Sequence, residues 1–153
     1  MPSPSLTALA TAVLRLPGRP ERVLEVGCGE GEGVLFLARE FPAARVRGVD
    51  HSAEAIRTAV ARVGLDPEGR VAFKHARTRE LPFPADFFDL VVQVGGRLRP
   101  GPIAAVLRPG GYLVLVGEWR LLDWRLRSHG FAAIQVGSAE GKRFHLARLY
   151  GDG

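Results

Sequence analysis

The residues Glu25-Val26-Gly27-Cys28-Gly29-Glu30-Gly31-Glu32-Gly33 carry the densest potential chemistry in the chain. Alternating glycines permit positive φ in a tight turn and let a ligand approach the backbone closely. The spacing excludes two phosphate cradles. A dinucleotide fingerprint needs Gly-x-Gly-x-x-Gly, but a count from Gly27 places Glu32 at the third glycine, and a count from Gly29 ends on Val34. No Gly-Lys-Ser/Thr follows, so there is no P-loop. Charge agrees with spacing. Glu30 and Glu32 would stand at a helix N-terminus, where they repel a pyrophosphate from the free amides. A ligand without phosphates, carrying ammonium and sulfonium cations, suits this loop better.

A strand must lead into such a loop and a helix must leave it. Val23 to Val26 reads as the strand, and Gly33 to Phe41 as the helix, with Val34, Leu35, Leu37 and Ala38 on one face. The alternation continues. Val46 to Val49 is a second strand, followed by a helix from about Ala53 to Val63, and Val71 to Phe73 is a third strand. Leu90 to Val94, Tyr112 to Val116, Ala132 to Val136 and Phe144 to Leu149 complete seven strands, with a helix over Trp119 to Ser128. Before them, Leu6, Leu9, Val13 and Leu16 recur at helical spacing, with Ser5 placed as a cap and Pro17-Gly18 as a stop. Near-continuous apolar strands between helices predict a sheet covered on both faces. The expected fold is one doubly wound, Rossmann-like α/β domain over residues 1–153, with residues 1–19 as a helix packed on it. Its seven-stranded sheet should be mostly parallel, with the last strand antiparallel and helices on both faces.

Composition narrows the class. At 153 residues, one core is the default, and 46% hydrophobic with 24% charged residues fits an ordinary globular domain. Cys28 is the single cysteine, which excludes an internal disulfide framework and a zinc site built on paired cysteines, and fits a reducing, cytoplasmic compartment. The Leu6 to Leu14 stretch is too short to span a membrane and has no basic region before it. The formal net charge is +5, but the basic residues are Arg apart from Lys74 and Lys142, and Asn is absent. That pattern fits a GC-rich genome or a hot habitat better than a nucleic-acid footprint, since the arginines are scattered along the sequence. His75, His129 and His145 show no metal-ligand spacing, so no metal site is expected.

With these residues in place, the chain resembles the class I S-adenosylmethionine-dependent methyltransferases, as a small, cap-less member. Glu25-x-Gly27-x-Gly29-x-Gly31 is similar to their first motif, and Gly48-Val49-Asp50-His51-Ser52 to their second-strand acidic motif. Leu81-Pro82-Phe83, Phe88-Asp89-Leu90-Val91-Val92 and Leu107-Arg108-Pro109-Gly110-Gly111-Tyr112 resemble later blocks, in the family's order. The resemblance covers about residues 20 to 150. It implies S-adenosyl-L-methionine as cofactor and S-adenosyl-L-homocysteine as product. Glu25 would organise the loop amides and the amino end of the methionine moiety, while Gly27 and Gly29 let the cofactor cross the backbone, with Gly31 completing the turn. Asp50 would accept hydrogen bonds from the ribose hydroxyls unless it is a helix cap, and His51 would neighbour the ribose or adenine. Cys28 would be a small residue beneath the cofactor, since no base beside it suggests a nucleophile. Ala76 and Arg77 would border the adenine, and Gln93 with Val94 the methyl group and its acceptor.

The pattern departs from the family in three places. Arg77 stands where an acidic residue often binds the adenine amino group, and an arginine offers no acceptor. The segment Gly95 to Pro102 lacks an Asn-Pro-Pro-Tyr-like motif and the aromatic or His residues of many small-molecule members. The late connections are short, leaving little chain to cap a substrate. The leading reading is a methyltransferase of unknown acceptor, because in-line transfer can proceed on a positioned acceptor without a dedicated base. Its alternatives are a non-catalytic or partner-dependent binder of the cofactor, and an RNA-associated methyltransferase suggested by Arg70, Lys74, Arg77 and Arg79. A homodimer or a partner chain could complete the acceptor side.

Overall fold

A computed structural model describes residues 3–150 of the chain. The elements run α1 (Pro4–Val13), β1 (Arg22–Val26), α2 (Glu32–Glu40), β2 (Arg45–Asp50), α3 (Ala53–Arg62), β3 (Val71–His75), β4 (Phe88–Val94), α4 (Pro100–Val106), β5 (Leu107–Val116), α5 (Leu122–Arg127), β6 (Phe131–Ala139) and β7 (Lys142–Leu149). They form one seven-stranded sheet in the order β3-β2-β1-β4-β5-β7-β6. Neighbours pair in parallel except at β7, which runs antiparallel to both β5 and β6. The expected sheet and its single reversed strand are therefore present.

Alternation along the strands builds two cores. Val23, Val46, Leu90, Val92, Val114 and Phe144 face α1, α2 and α3. Leu24, Val49, Val91, Leu113 and Leu115 face α4 and α5 on the opposite side. Burial on both faces explains why the central strands read as unbroken apolar runs.

Several boundaries differ from expectation for local reasons. Ser3, not Ser5, caps α1: its hydroxyl accepts from the Leu6 N–H at 3.1 Å, and Pro4 takes the first helical position, where no N–H is needed. α4 is not among the expected elements, and its opening residues Pro100-Gly101-Pro102 are of turn-forming types. Pro at the first position tolerates a helix, and Ile103 and Val106 bury its inner face. α5 starts at Leu122 rather than Trp119, since Leu121 takes a left-handed φ of 56°. β5 starts at Leu107, five residues early, and Pro109-Gly110-Gly111 forms a bulge inside it where the register jumps between Phe88 and Leu90. The connection between β3 and β4 contains no helix. Phe83 and Phe87 instead pack edge-on against Phe88, at 4.9 and 5.0 Å between ring centres. Among the described residues no helix is long and apolar enough to cross a membrane.

Candidate functional site

The sheet order reverses direction between β1 and β4, and in open α/β sheets ligands bind outside the strand ends at such a point. Two cavities lie there on either side of the glycine loop, meeting at Gly27 and Val94. The smaller, of 330 Å³, is lined by Glu25, Cys28, Gly29, Glu30 and Glu32, and by Leu6 and Leu9 of α1. The larger, of 540 Å³, is lined by Asp50, His51, Arg77 and Gln93, with further arginines at its rim. A 210 Å³ cleft at the other end of the strands, around Asp89 and Tyr112, holds none of the candidate residues.

The loop geometry follows from its glycines. Gly27 and Gly29 have φ of 71° and 53°, and a Cβ built on either would point into open space. The backbone is thus bare on the side a ligand would cross. Beneath it, the Cys28 N–H donates to the Val49 carbonyl at 2.9 Å, and the Cys28 sulfur packs where Gly48 leaves room for it. Burial, reinforced by Glu25 and Asp50, pushes the thiol up to about 12. It is a packing thiol, with no thiolate available at neutral pH.

Glu25 is the unusual group. It lies on the helix-covered face of β1, 4% exposed, with its carboxylate against the backbone of Gly33 in the first turn of α2. Oε1 has no hydrogen-bond partner. Burial, then the charges of Glu32 and Asp50, raise its pKa from 4.5 to about 8. A buried acceptor without a donor costs on the order of 1–3 kcal/mol.

Asp50 has a double role. Its Oδ2 accepts from the Gly29 N–H and its Oδ1 from the Ser52 N–H, both at 2.9 Å, so it ties the loop to the end of β2. The helix cap is Ser52, which accepts from Ala55 at 3.1 Å. Each Asp50 oxygen keeps a lone pair for a hydroxyl donor. His51 is 81% exposed, with Nδ1 at 3.4 Å from Asp50 Oδ1. The Ala76 N–H donates to the Asp50 carbonyl at 2.9 Å, which places Arg77 at the cavity rim. Gln93 is 2% exposed: its amide donates to the Gly95 and Arg97 carbonyls at 2.9 and 3.0 Å, and its Oε1 has no partner.

The acids of the site fall on two sides of the glycine loop. Glu25, Glu30 and Glu32 border the smaller cavity, while Asp50 sits across the loop among arginines. Other contributors went unrecognised. α1 forms a cavity wall, and Arg62 of α3 donates to the Glu30 carbonyl at 3.2 Å. The Trp119 indole N–H braces the Gly95-Gly96 turn by donating to the Gly96 carbonyl at 2.8 Å. Arg125 donates to the Leu98 carbonyl at 2.6 Å. The amphipathic pattern of α1 could have flagged its buried face, but nothing local in sequence points that face at the loop.

A mostly parallel sheet with a bare glycine loop at its switch point, a buried acid below that loop and a second acid at the next strand end defines a Rossmann-like protein. The family model for the methyltransferase domain matches residues 23–111, and the chain belongs to that family, the class I S-adenosylmethionine-dependent methyltransferases. Among curated relatives, a fatty-acid O-methyltransferase from Mycolicibacterium smegmatis is 33% identical over 138 residues, covering 84% of this chain and 49% of that protein. A SAM-dependent methyltransferase from Aquifex aeolicus shares the fold at a TM-score of 0.80 and 19% identity, covering 97% of this chain and 94% of that one. A chain from the complex of the Haloferax volcanii Trm112 methyltransferase activator with a methyltransferase aligns at 0.83 and 17%, covering 98% and 91%. The chain spans about half the length, or less, of the curated relatives it matches.

Proposed function

We propose that this chain binds S-adenosyl-L-methionine across the glycine loop and transfers its methyl group to an acceptor, releasing S-adenosyl-L-homocysteine. The observation that carries the reading is the buried Glu25 carboxyl, whose Oε1 has no hydrogen-bond partner, beside open backbone at Gly27 and Gly29. An ammonium group at Glu25 would supply the missing donor and return the carboxyl to its ionised form. Gly27, Cys28, Gly29 and Gly31 form the bed, Asp50 offers its free lone pairs to ribose hydroxyls, and His51, Ala76 and Arg77 border the base. Gln93, fixed by two backbone carbonyls, closes the end of β4 where acceptor and donor would meet.

When bound, the cofactor supplies an electrophilic methyl group on a sulfonium: the acceptor–carbon bond forms as the carbon–sulfur bond breaks, and the electron pair stays on sulfur. The chain's own task is positioning, which converts the transfer into an effectively unimolecular step. Calorimetry with S-adenosylmethionine and S-adenosylhomocysteine tests the reading. Wild type should bind both, and Asp50→Ala should bind about tenfold or more weakly, having lost both the ribose contact and the Gly29 tie. Absence of binding by wild type would overturn the assignment.

A further inference from the structure

The larger cavity, taken above as the seat of the ribose and base, is walled by hydrogen-bond donors. Arg77 stands on one wall. The Ala76 N–H donates to the Asp50 carbonyl at 2.9 Å, so Arg77 begins one residue beyond the backbone tie to the acid that would hold the ribose. The Arg77 carbonyl is spent on the Glu80 N–H at 3.1 Å. Its guanidinium has no ion-pair, hydrogen-bond or ring partner among the described residues. The turn after β4 forms another wall, and side chains take its carbonyls. Gln93 donates to those of Gly95 and Arg97 at 2.9 and 3.0 Å, Trp119 to that of Gly96 at 2.8 Å, and Arg125 to that of Leu98 at 2.6 Å. A trans peptide unit points its N–H opposite to its C=O. The N–H groups of Gly96 and Arg97, two residues that line the cavity, therefore face away from those donors and have no acceptor among the described residues.

Acceptors are scarcer. Asp50 already receives two backbone N–H groups, and its remaining lone pairs fall to the ribose. Gln93 Oε1 is buried behind its own fixed amide. His51 and Thr78 each carry a proton to donate as well as a lone pair, so neither commits to one kind of partner. An exocyclic amino group needs an acceptor, whereas an oxo group at the same position needs a donor. We propose that Arg77 sets the base specificity of this site in favour of a 6-oxopurine over adenine. A 6-oxopurine places O6 and N7 side by side, and one guanidinium spans that pair with two N–H donors. Adenine sets a 6-amino donor beside N7, so the guanidinium keeps one hydrogen bond and turns its second donor against another. The inference rests on the methyltransferase reading and deepens it: the ribose and ammonium contacts stay the same, and the base that fits best changes. It makes S-inosyl-L-homocysteine, which carries an oxo group in place of the 6-amino group of S-adenosylhomocysteine, a ligand that competes for the cofactor site.

The test is calorimetry on the full chain with these two compounds, as wild type, Arg77→Gln and Arg77→Ala. Wild type should bind the inosyl compound tighter by about fivefold or more. Arg77→Gln should reverse the order, because a carboxamide pairs with the 6-amino group and N7 of adenine. Arg77→Ala should bind both compounds alike. Both variants should keep the thermal midpoint of wild type, since the Arg77 side chain is exposed. A smaller preference in wild type, or a preference for the inosyl compound that survives either substitution, would overturn the proposal. A lowered midpoint with loss of both ligands would assign Arg77 a structural role and overturn it too. Failure of wild type to bind either compound would instead overturn the methyltransferase reading beneath it.

Discussion

Glu25 couples proton binding to both stability and ligand affinity. Its pKa rises from 4.5 to about 8 on folding, chiefly through burial. Between those values the native chain holds a proton that the unfolded chain has released, so stability falls as pH climbs through that window. The slope for one proton approaches about 1.4 kcal/mol per pH unit. Urea unfolding between about pH 5 and pH 8 should therefore show declining stability in wild type, and a flatter profile with higher stability near pH 8 in Glu25→Gln. Ligand binding should move the other way. An ammonium group needs the ionised carboxylate, so S-adenosylhomocysteine affinity should rise by up to about tenfold per unit as pH approaches 8. Glu25→Gln should abolish that rise. A wild-type affinity independent of pH would contradict the ammonium contact.

The elements hold these residues through contacts that sequence displays unevenly. A Cβ at Gly33 would collide with Glu25 Oε1 and approach Oε2 to 2.8 Å, so Gly33→Ala must displace the carboxylate or α2. It should cost about 1–3 kcal/mol by overpacking and remove cofactor binding, read by chemical denaturation and calorimetry on the same sample. Removing the α1 cap is subtler. Ser3→Ala should cost about 1 kcal/mol and loosen the wall formed by Leu6 and Leu9, with little effect on the larger cavity.

The glycine loop, Asp50 and the strand order were legible because each is a local signal: spacing for the loop, a strand–Asp–helix junction for Asp50, and unbroken apolar runs for buried strands. The unpartnered Oε1 of Glu25 was not legible, since burial depends on α2 closing over β1. Nor was the grouping of Arg77 and Arg79 with Arg97 and Arg99. Those pairs are some twenty residues apart in sequence and border one cavity because the segments that follow β3 and β4 leave the sheet at the same end, with β2 and β1 between them. Pro100-Gly101-Pro102 hid α4 because turn chemistry and a proline-led helix start share the same residues.

At the scale of the molecule, charge and stability are distributed differently. The net +5 is a poor guide to function when averaged, because acids border one side of the glycine loop and arginines the other. A zwitterionic, largely uncharged or anionic partner would meet opposite fields at the two cavities, which helps to orient it before contact. Stability rests on two apolar cores sharing one sheet, so the halves should unfold together. Ligand linkage follows from that cooperativity. A ligand at about a hundred times its dissociation constant adds about 2.7 kcal/mol to the folded state if the unfolded chain does not bind it. For a chain of this size each kcal/mol moves the midpoint by roughly 2–4 °C, so saturating S-adenosylhomocysteine should raise it by roughly 5–10 °C in one sharp transition. Gly33→Ala should keep a single transition at a lower midpoint and show no shift with ligand. Two transitions, of which the ligand moves only one, would mean that the cores on opposite faces of the sheet fold independently and that the site draws its stability from α1, α2 and α3 alone.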